Sequence, residues 1–292
     1  MMVSSKSNLR GFLLRLPVIL IILAVFLSPF WILTTISFKP VSDVSSYWKF
    51  PSAPTLTNFI TAINKAGIFG AIGRTALITI CVVTLQVIVS SFASYPLARK
   101  ITKFNKLVQA FILGVMMVPP LSILVSLYSV IVGMKGVNTY WATILVLLTY
   151  QLPQGIFLYT NFVRSIPKAL DEAATIDGCG PGRTFFYIIL PQLTPVTASV
   201  VILSSVNCWN DFQFSRYILQ ASRLNTVTLA ISQFFSQTYI DLNTAAACAM
   251  LAIIPVVVCF LCLQKYFIQG MIDSSVKWFD TLLQFASSKN AK

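Results

Sequence analysis

Residues able to do acid–base or metal chemistry are scarce in this chain. Histidine is absent, and Glu172 is the single glutamate among eight acidic residues. Catalysis by proton transfer and coordination of metals draw mainly on imidazole, carboxylate and thiolate groups held close together. The six cysteines, Cys81, Cys179, Cys208, Cys248, Cys259 and Cys262, supply no such group. Cys259 and Cys262 are three apart, but a second ligand pair is missing, so the thiols read as small apolar fillers. Nor is there a G-x-x-x-x-G-K-[ST] phosphate loop: the Gly-rich stretch Gly178–Thr184 puts Arg183 where the second Gly would stand. An intrinsic hydrolase, metalloenzyme or ATPase is a poor fit, and no cofactor is expected in this chain.

Two other groupings carry chemistry of a different kind. The first is Pro167-Lys168-Ala169-Leu170-Asp171-Glu172-Ala173-Ala174-Thr175-Ile176-Asp177-Gly178. It reads as a short helix: Ser165 can cap its start, Pro167 suits the first turn, and Asp171 and Glu172 sit early, where the helix dipole favours acids. Ala173 and Ala174 give a small, close-packing surface, and Gly178 stands where a left-handed cap is expected. The second is a polar and aromatic stretch inside an apolar run: Asn207, Trp209, Asn210, Asp211, Phe212 and Gln213. An aspartate at the centre of a membrane helix costs about 2.5–3.5 kcal/mol, against about 0.3–0.6 returned by each Leu, Ile, Phe or Val. Such a segment faces protein or a wet cavity rather than lipid. Amides beside aromatics suit sugars, which offer hydroxyl edges and apolar faces; hydrogen bonding to a neighbouring helix is the other use of the same residues. For a polyanionic substrate, Arg216 or Lys39 would be a better contact than Asp211.

The elements that must position these groups follow from composition. The chain is 292 residues long, 57% hydrophobic and 10% charged, where soluble domains carry about 25% charged residues. Six stretches are long and apolar enough to cross a bilayer, which takes about 20 residues of helix: Leu16–Phe38, Thr75–Ala98, Leu107–Met134, Val137–Val163, Thr184–Asn210 and Leu242–Gln264. The fold expected is all-α, a polytopic bundle of six membrane helices. The first run is too long for a signal-peptide core and no A-x-A site follows it, so it reads as an uncleaved span. Pro119-Pro120 in the third run and Pro255 in the sixth invite kinks.

The net charge of +13 would suggest nucleic acid on a soluble protein. Its placement points to the membrane instead. With the N-terminus cytoplasmic, lysines and arginines lie two to one on the inner side, as the positive-inside bias requires. Residues 1–15 then form a cytoplasmic N-terminus, 16–264 the six-span domain with a cytoplasmic loop at 164–193, and 265–292 a cytoplasmic tail. Val227–Phe235, in an outer loop, reads as a helix lying on the surface.

Glu172-Ala173-Ala174, Asp177-Gly178, Phe185, Leu190-Pro191 and Pro195 resemble the EAA signature of ABC importer permeases, with matching spacing. The chain also resembles the maltose-type carbohydrate branch of that family in Ser37-Phe38-Lys39-Pro40, Pro54–Phe59, Ser94–Arg99, Pro119-Pro120, Asn138–Trp141, Trp209–Phe212, Tyr266–Gly270 and Val276-Lys277. Cys179, where Ala is usual, and Arg74, where Asn is usual, depart from the pattern. The resemblance implies a permease subunit of a binding-protein-dependent importer in a bacterial inner membrane, with both termini cytoplasmic. Leu170, Glu172, Ala173, Ala174, Asp177 and Gly178 would form the coupling helix that docks on an ATPase, and Asn207, Trp209, Asn210, Asp211, Phe212 and Gln213 would border the substrate pathway. Implied partners are a second homologous permease, two ATP-binding subunits that hold ATP and Mg, a solute-binding protein, and membrane lipid, with no nucleic acid. A carbohydrate is the implied substrate; alginate is one candidate, though no residue argues for it. An ion-coupled secondary carrier is the alternative, and it would be expected to show the inverted repeats that are not visible here.

Overall fold

The structure is a computed structural model that describes residues 5–235, 240–258 and 260–262, with side chains from residue 16 onward. The expected tail motifs Tyr266–Gly270 and Val276-Lys277 lie outside the described residues. Among those described, the elements are helical, apart from a single bridge between Phe235 and Ile240. The chain forms two compact units, Met1–Phe69 with Ala230–Ile254, and Gly70–Leu229 with Pro255–Lys292.

In the first unit, α1 (Ser5–Phe38) is the first span, and the 23 residues Leu16–Phe38 carry a mean hydropathy of 2.7 with nothing covering their most apolar window. Its end packs on α2 (Thr57–Asn64) through Phe38 and Phe59, whose rings are 5.0 Å apart. Asn58 Nδ2 donates to the carbonyls of Ser37 and Lys39, each at 2.8 Å, which closes the chain between the two helices into a fixed loop. Lys39 is 1% exposed. Its ammonium donates to Ser45 O, Ser45 Oγ and Ser46 O at 2.8–2.9 Å and lies 3.8 Å from Asp43. Lys39 is thus consumed by its own loop and is not presented to a substrate. Hydrogen bonds from the Ser45 side chain and backbone hold the Asp43 carboxyl below its ordinary range, with Lys39 and Lys49 adding to the effect. The last span begins here as well: Asp241 caps it by accepting from Thr244 N at 2.9 Å and Thr244 Oγ1 at 2.7 Å.

The second unit is built around three helices: α3 (Ile68–Arg99, from Gly70), α6 (Tyr140–Ser165) and α9 (Thr194–Trp209). Two apolar clusters hold them. One joins Ile78, Val82, Val146, Leu147, Cys208 and Phe214; the other joins Ala98, Tyr159, Val163, Phe185, Ile189 and Val196. A buried polar group joins the same helices. Gln86 Nε2 donates to Gln151 O at 2.9 Å, and Gln151 Nε2 donates to Cys208 Sγ at 3.0 Å. Gly155 makes this approach possible, because a Cβ there would sit 2.9 Å from Gln86 Nε2, 3.2 Å from Ser90 Cβ, and closer still to Ser90 Oγ.

Two of the six expected spans are each a pair of helices with a sharp bend between them. The third is a pair, α4 (Lys103–Met116) and α5 (Pro120–Gly133), bent by 101°. The proline pair predicts a break here, since Pro119 lacks a donor and the ring of Pro120 pre-sets the start of a new helix. The fifth is α8 (Pro181–Gln192), which contains a π-turn at Phe185–Ile189, followed by α9 at 70°. The remaining helices are α7 (Ala169–Ile176), α10 (Gln213–Ile218), α11 (Val227–Ser232) and α12 (Leu242–Cys262). The helix expected on the outer surface is α11, and its Val227 and Leu229 are buried, so it is packed rather than laid on a surface. Arg74 donates from Nε to Asn225 O at 2.8 Å, and Thr75 Oγ1 accepts from Val227 N at 2.9 Å, which ties the start of α3 to this segment and gives Arg74 a structural use. Asn138, in the left-handed region at φ 59°, accepts at Oδ1 from the backbone N–H groups of Gln220 and Ala221.

Candidate coupling helix and pathway

Helix α7 forms where the sequence places it, but its start differs. Helix α6 continues to Ser165, whose hydroxyl donates to Phe162 O in the preceding turn, so Ser165 does not cap α7; the residue before α7 is Lys168. Asp171 and Glu172 lie in the first turn, Asp177 closes the helix, and Gly178 has φ +77°, the left-handed conformation that suits a residue without Cβ.

The faces of α7 differ sharply. Ala174 is 2% exposed and faces the unit. Glu172, Ala173, Asp177 and Gly178 are exposed, Leu170 sits at 37%, and Ile176 at 87%. Ile176 is an open apolar knob one turn from Ala173, with Glu172 and Asp177 beside it, while Leu170 lies at the other end of the helix.

Asp171 has a different task from its neighbour. Its Oδ1 accepts from Tyr95 OH at 2.7 Å, and its Oδ2 lies 2.8 Å from Arg99 Nη2. Arg99 Nη1 also donates to Ile166 O at 3.0 Å. The pair is 11% and 19% exposed. An open surface pair contributes about 0–1 kcal/mol. Removing one member of a buried, hydrogen-bonded pair costs about 3–5 kcal/mol; here Arg99 Nη2 and Asp171 Oδ2 meet at ion-pair distance without a hydrogen bond between them, so the pair falls between the two cases. The same stretch of α3 grips the π-turn: Phe185 lies 5.2 Å from Phe92 and 5.5 Å from Tyr95, ring to ring. Sequence reasoning missed Tyr95 and Arg99 because they are separated from Asp171 by more than seventy residues; the signal present was the paired Asp171-Glu172, two acids where one suffices for the dipole.

The expected pathway residues fall into two groups. On α9, Asn207 shares the exposed face with Leu203 and Val206, while Val200, Ser204 and Cys208 are buried on the other side; Asn210, just past the end of the helix, is exposed as well. Trp209 and Asn210 line a cavity of about 310 Å³ with Thr79, Ser205, Pro255 and Phe260. Phe212 and Gln213 are exposed at the start of α10. Asp211 caps that helix: its carboxylate accepts from Phe214 N at 3.3 Å, Ser215 N at 2.9 Å and Ser215 Oγ at 2.6 Å. Its backbone carbonyl accepts from Thr228 Oγ1. Arg216 is exposed. Among the described residues, no group of three or more His, Cys, Asp or Glu could hold a metal ion.

Residues 86–273 match the family model described as binding-protein-dependent transport system inner membrane component. The chain belongs to that family. The permease is 43% identical over 250 residues to the melibiose/raffinose/stachyose import permease protein MelC of Bacillus subtilis, covering 85% of this chain and 91% of that one. It is 30% identical over 257 residues to the multiple sugar-binding transport system permease protein MsmG of Streptococcus mutans, covering 86% and 92%. Among solved structures it superposes with a TM-score of 0.74 on a chain of a bacterial ABC transporter involved in the import of the acidic polysaccharide alginate. That match covers 91% of the permease and 100% of the other chain at 16% identity, and so speaks to the fold. The permease is a multi-pass membrane component of an ABC importer, not a catalytic enzyme.

Proposed function

We propose that this permease forms one half of the membrane pathway of an importer for short neutral oligosaccharides, delivered by a solute-binding protein and driven by two separate ATP-binding subunits. The observation that carries the coupling part is the shape of α7. It presents Leu170, Glu172, Ala173, Ile176 and Asp177 outward while Asp171 and Ala174 hold it to the bundle. An apolar knob with an acidic rim on an eight-residue helix suits a groove on a partner, where a few buried anchors supply most of the binding energy. The substrate class rests on the 43% identity to the melibiose/raffinose/stachyose permease over nearly its whole length. The exposed amides of Asn207, Asn210 and Gln213 beside Trp209 and Phe212 fit hydroxyl edges and apolar sugar faces. The uncovered apolar surface of α1 suits lipid and a second, homologous permease.

In this mechanism the ATP-binding subunits close on ATP and carry α7 with them. The helices joined to α7 shift, and the cavity changes its open side. The nucleotide can drive this only by binding one permease conformation better than the other. Both termini and α7 face the cytoplasm in this reading, as the lysine and arginine placement requires.

Reconstitution in liposomes tests the proposal. Substrate uptake should be silent with the two permeases alone and appear when the ATP-binding subunits, ATP and loaded binding protein are supplied. Ile176→Asp should abolish co-purification of the ATP-binding subunits while leaving the permease folded. Uptake without ATP or partners would refute the reading in favour of an ion-coupled carrier.

A further inference from the structure

We propose that Arg99 and Asp171 form the joint that passes movement of α7 to the membrane helix α3, with Arg99 a positioning residue for transport rather than a docking residue. The proposal rests on the reading of α7 as the element moved by an ATPase, and it divides the labour of two adjacent acids: Glu172 faces outward and Asp171 faces inward.

The geometry supports this division. Three polar contacts converge on the last turns of α3: Tyr95 OH to Asp171 Oδ1 at 2.7 Å, Arg99 Nη2 to Asp171 Oδ2 at 2.8 Å, and Arg99 Nη1 to Ile166 O at 3.0 Å. Arg99 thus holds the segment leading into α7 at Ile166 and α7 itself at Asp171. A guanidinium does this where an ammonium cannot, because its two terminal nitrogens reach two separate partners at once. Directly beside it, the rings of Tyr95 and Phe92 pack at a tilt against Phe185 in the π-turn of α8. Pushing α7 therefore loads α3 through a short ion pair and the directional hydrogen bonds of Tyr95 and Arg99 Nη1, and reaches the broken fifth span through the aromatic contact. A looser link would let α7 move while α3 stayed behind, so ATP would be spent without moving the pathway.

The complete importer, with both permeases, the ATP-binding subunits and the binding protein, is reconstituted in liposomes. Labelled oligosaccharide transported per ATP hydrolysed is the readout. Arg99→Lys and Asp171→Asn should assemble normally and retain the wild-type half-saturation for loaded binding protein. The transport-to-hydrolysis ratio should fall about tenfold, the scale set by losing one charge-assisted hydrogen bond. Tyr95→Phe, which deletes one hydroxyl from an otherwise unchanged ring, should give a smaller fall. Exchanging the pair, Arg99→Asp with Asp171→Arg, should recover part of the ratio, which a merely structural role would not require. Glu172→Gln should instead weaken assembly with the ATP-binding subunits and leave the ratio of the assembled fraction unchanged. Wild-type ratios in Arg99→Lys and Asp171→Asn would overturn the proposal. So would an exchanged pair no better than the single variants, or loss of assembly in all of them, Tyr95→Phe included. A wild-type complex that never responds to ATP would instead refute the function on which the proposal rests.

Discussion

Gly155→Ala should destabilise the permease even though alanine is the better helix former. At this position α6 lies against α3, and a new Cβ would stand 2.9 Å from Gln86 Nε2 and 3.2 Å from Ser90 Cβ, with Ser90 Oγ nearer than either. Both neighbours are essentially fully buried, so neither can swing into free space. Overpacking of this kind costs about 1–3 kcal/mol. Displacing Gln86 also weakens its bond to Gln151 O, worth about 1 kcal/mol net. Against this, Gly to Ala inside a helix returns about 1 kcal/mol. The balance is a loss of about 1–3 kcal/mol, which for a domain of this size lowers the melting temperature on the order of 3–10 °C. A thiol-reactive dye reports it directly in detergent, because Cys208 and Cys248 are buried and free and become reactive on unfolding. Ser90→Gly in the Gly155→Ala background should recover much of the loss, since it removes both Ser90 atoms from the clash. A melting temperature unchanged or raised in Gly155→Ala would show that the helices are not in the contact described, and the packing argument would fail.

Three further outcomes are expected. Asn207→Ala and Asn210→Ala should raise the half-saturating substrate concentration for transport without altering assembly, checked by uptake in reconstituted liposomes; unchanged uptake in both would remove these amides from the pathway. Asn138→Ala should lower stability by about 1–2 kcal/mol, because it removes the acceptor of two backbone N–H groups at a left-handed position, and the same thermal assay reads it. The Asp43 carboxyl is held below its ordinary range, so its contribution to loop order is complete at neutral pH. It is lost only as pH falls through the depressed folded value. Fluorescence of Trp48, whose carbonyl accepts from Trp31 Nε1 in the same loop region, should stay flat from pH 7 down to the ordinary carboxylate range and change below it.

Much of the architecture is legible in hydropathy alone, because every spanning element must bury its backbone polar groups in a helix and present apolar side chains to lipid. The first span, expected over Leu16–Phe38, lies inside the longer helix α1 (Ser5–Phe38), and the two end at the same residue. Hydropathy is blind to direction, however, and two spans that read as continuous are bent by 101° and 70°. The proline pair gives the place of the first bend but not its size, which depends on what α4 and α5 pack against. Helix α7 was legible from Pro167, the early acids and Gly178, all local signals. Its false cap at Ser165 arose because α6 extends further than its apolar run. The Arg99–Asp171 contact was not legible, since a pair so far apart in sequence meets only once the fold exists. Asp211 illustrates the opposite case. Its cost inside an apolar run reads as a functional group, and the structure adds a local use: two residues ahead of α10, its carboxylate accepts from amides in the first turn of that helix.

The elbow between α4 and α5 sets a condition on where this chain can exist. Each arm has 14 residues, about 21 Å of helix at 1.5 Å per residue, against a hydrocarbon layer about 30 Å thick. Neither arm is long enough to cross alone, so where the pair serves as one span the turn at Met117–Pro119, with Met117 84% exposed, has to lie inside the hydrocarbon layer. Non-helical backbone is tolerated at that depth only against protein or trapped water. A solitary copy would leave that turn facing acyl chains, so the cell's quality control should remove orphan subunits, and stable accumulation of this polypeptide should require its assembly mates to be made alongside it.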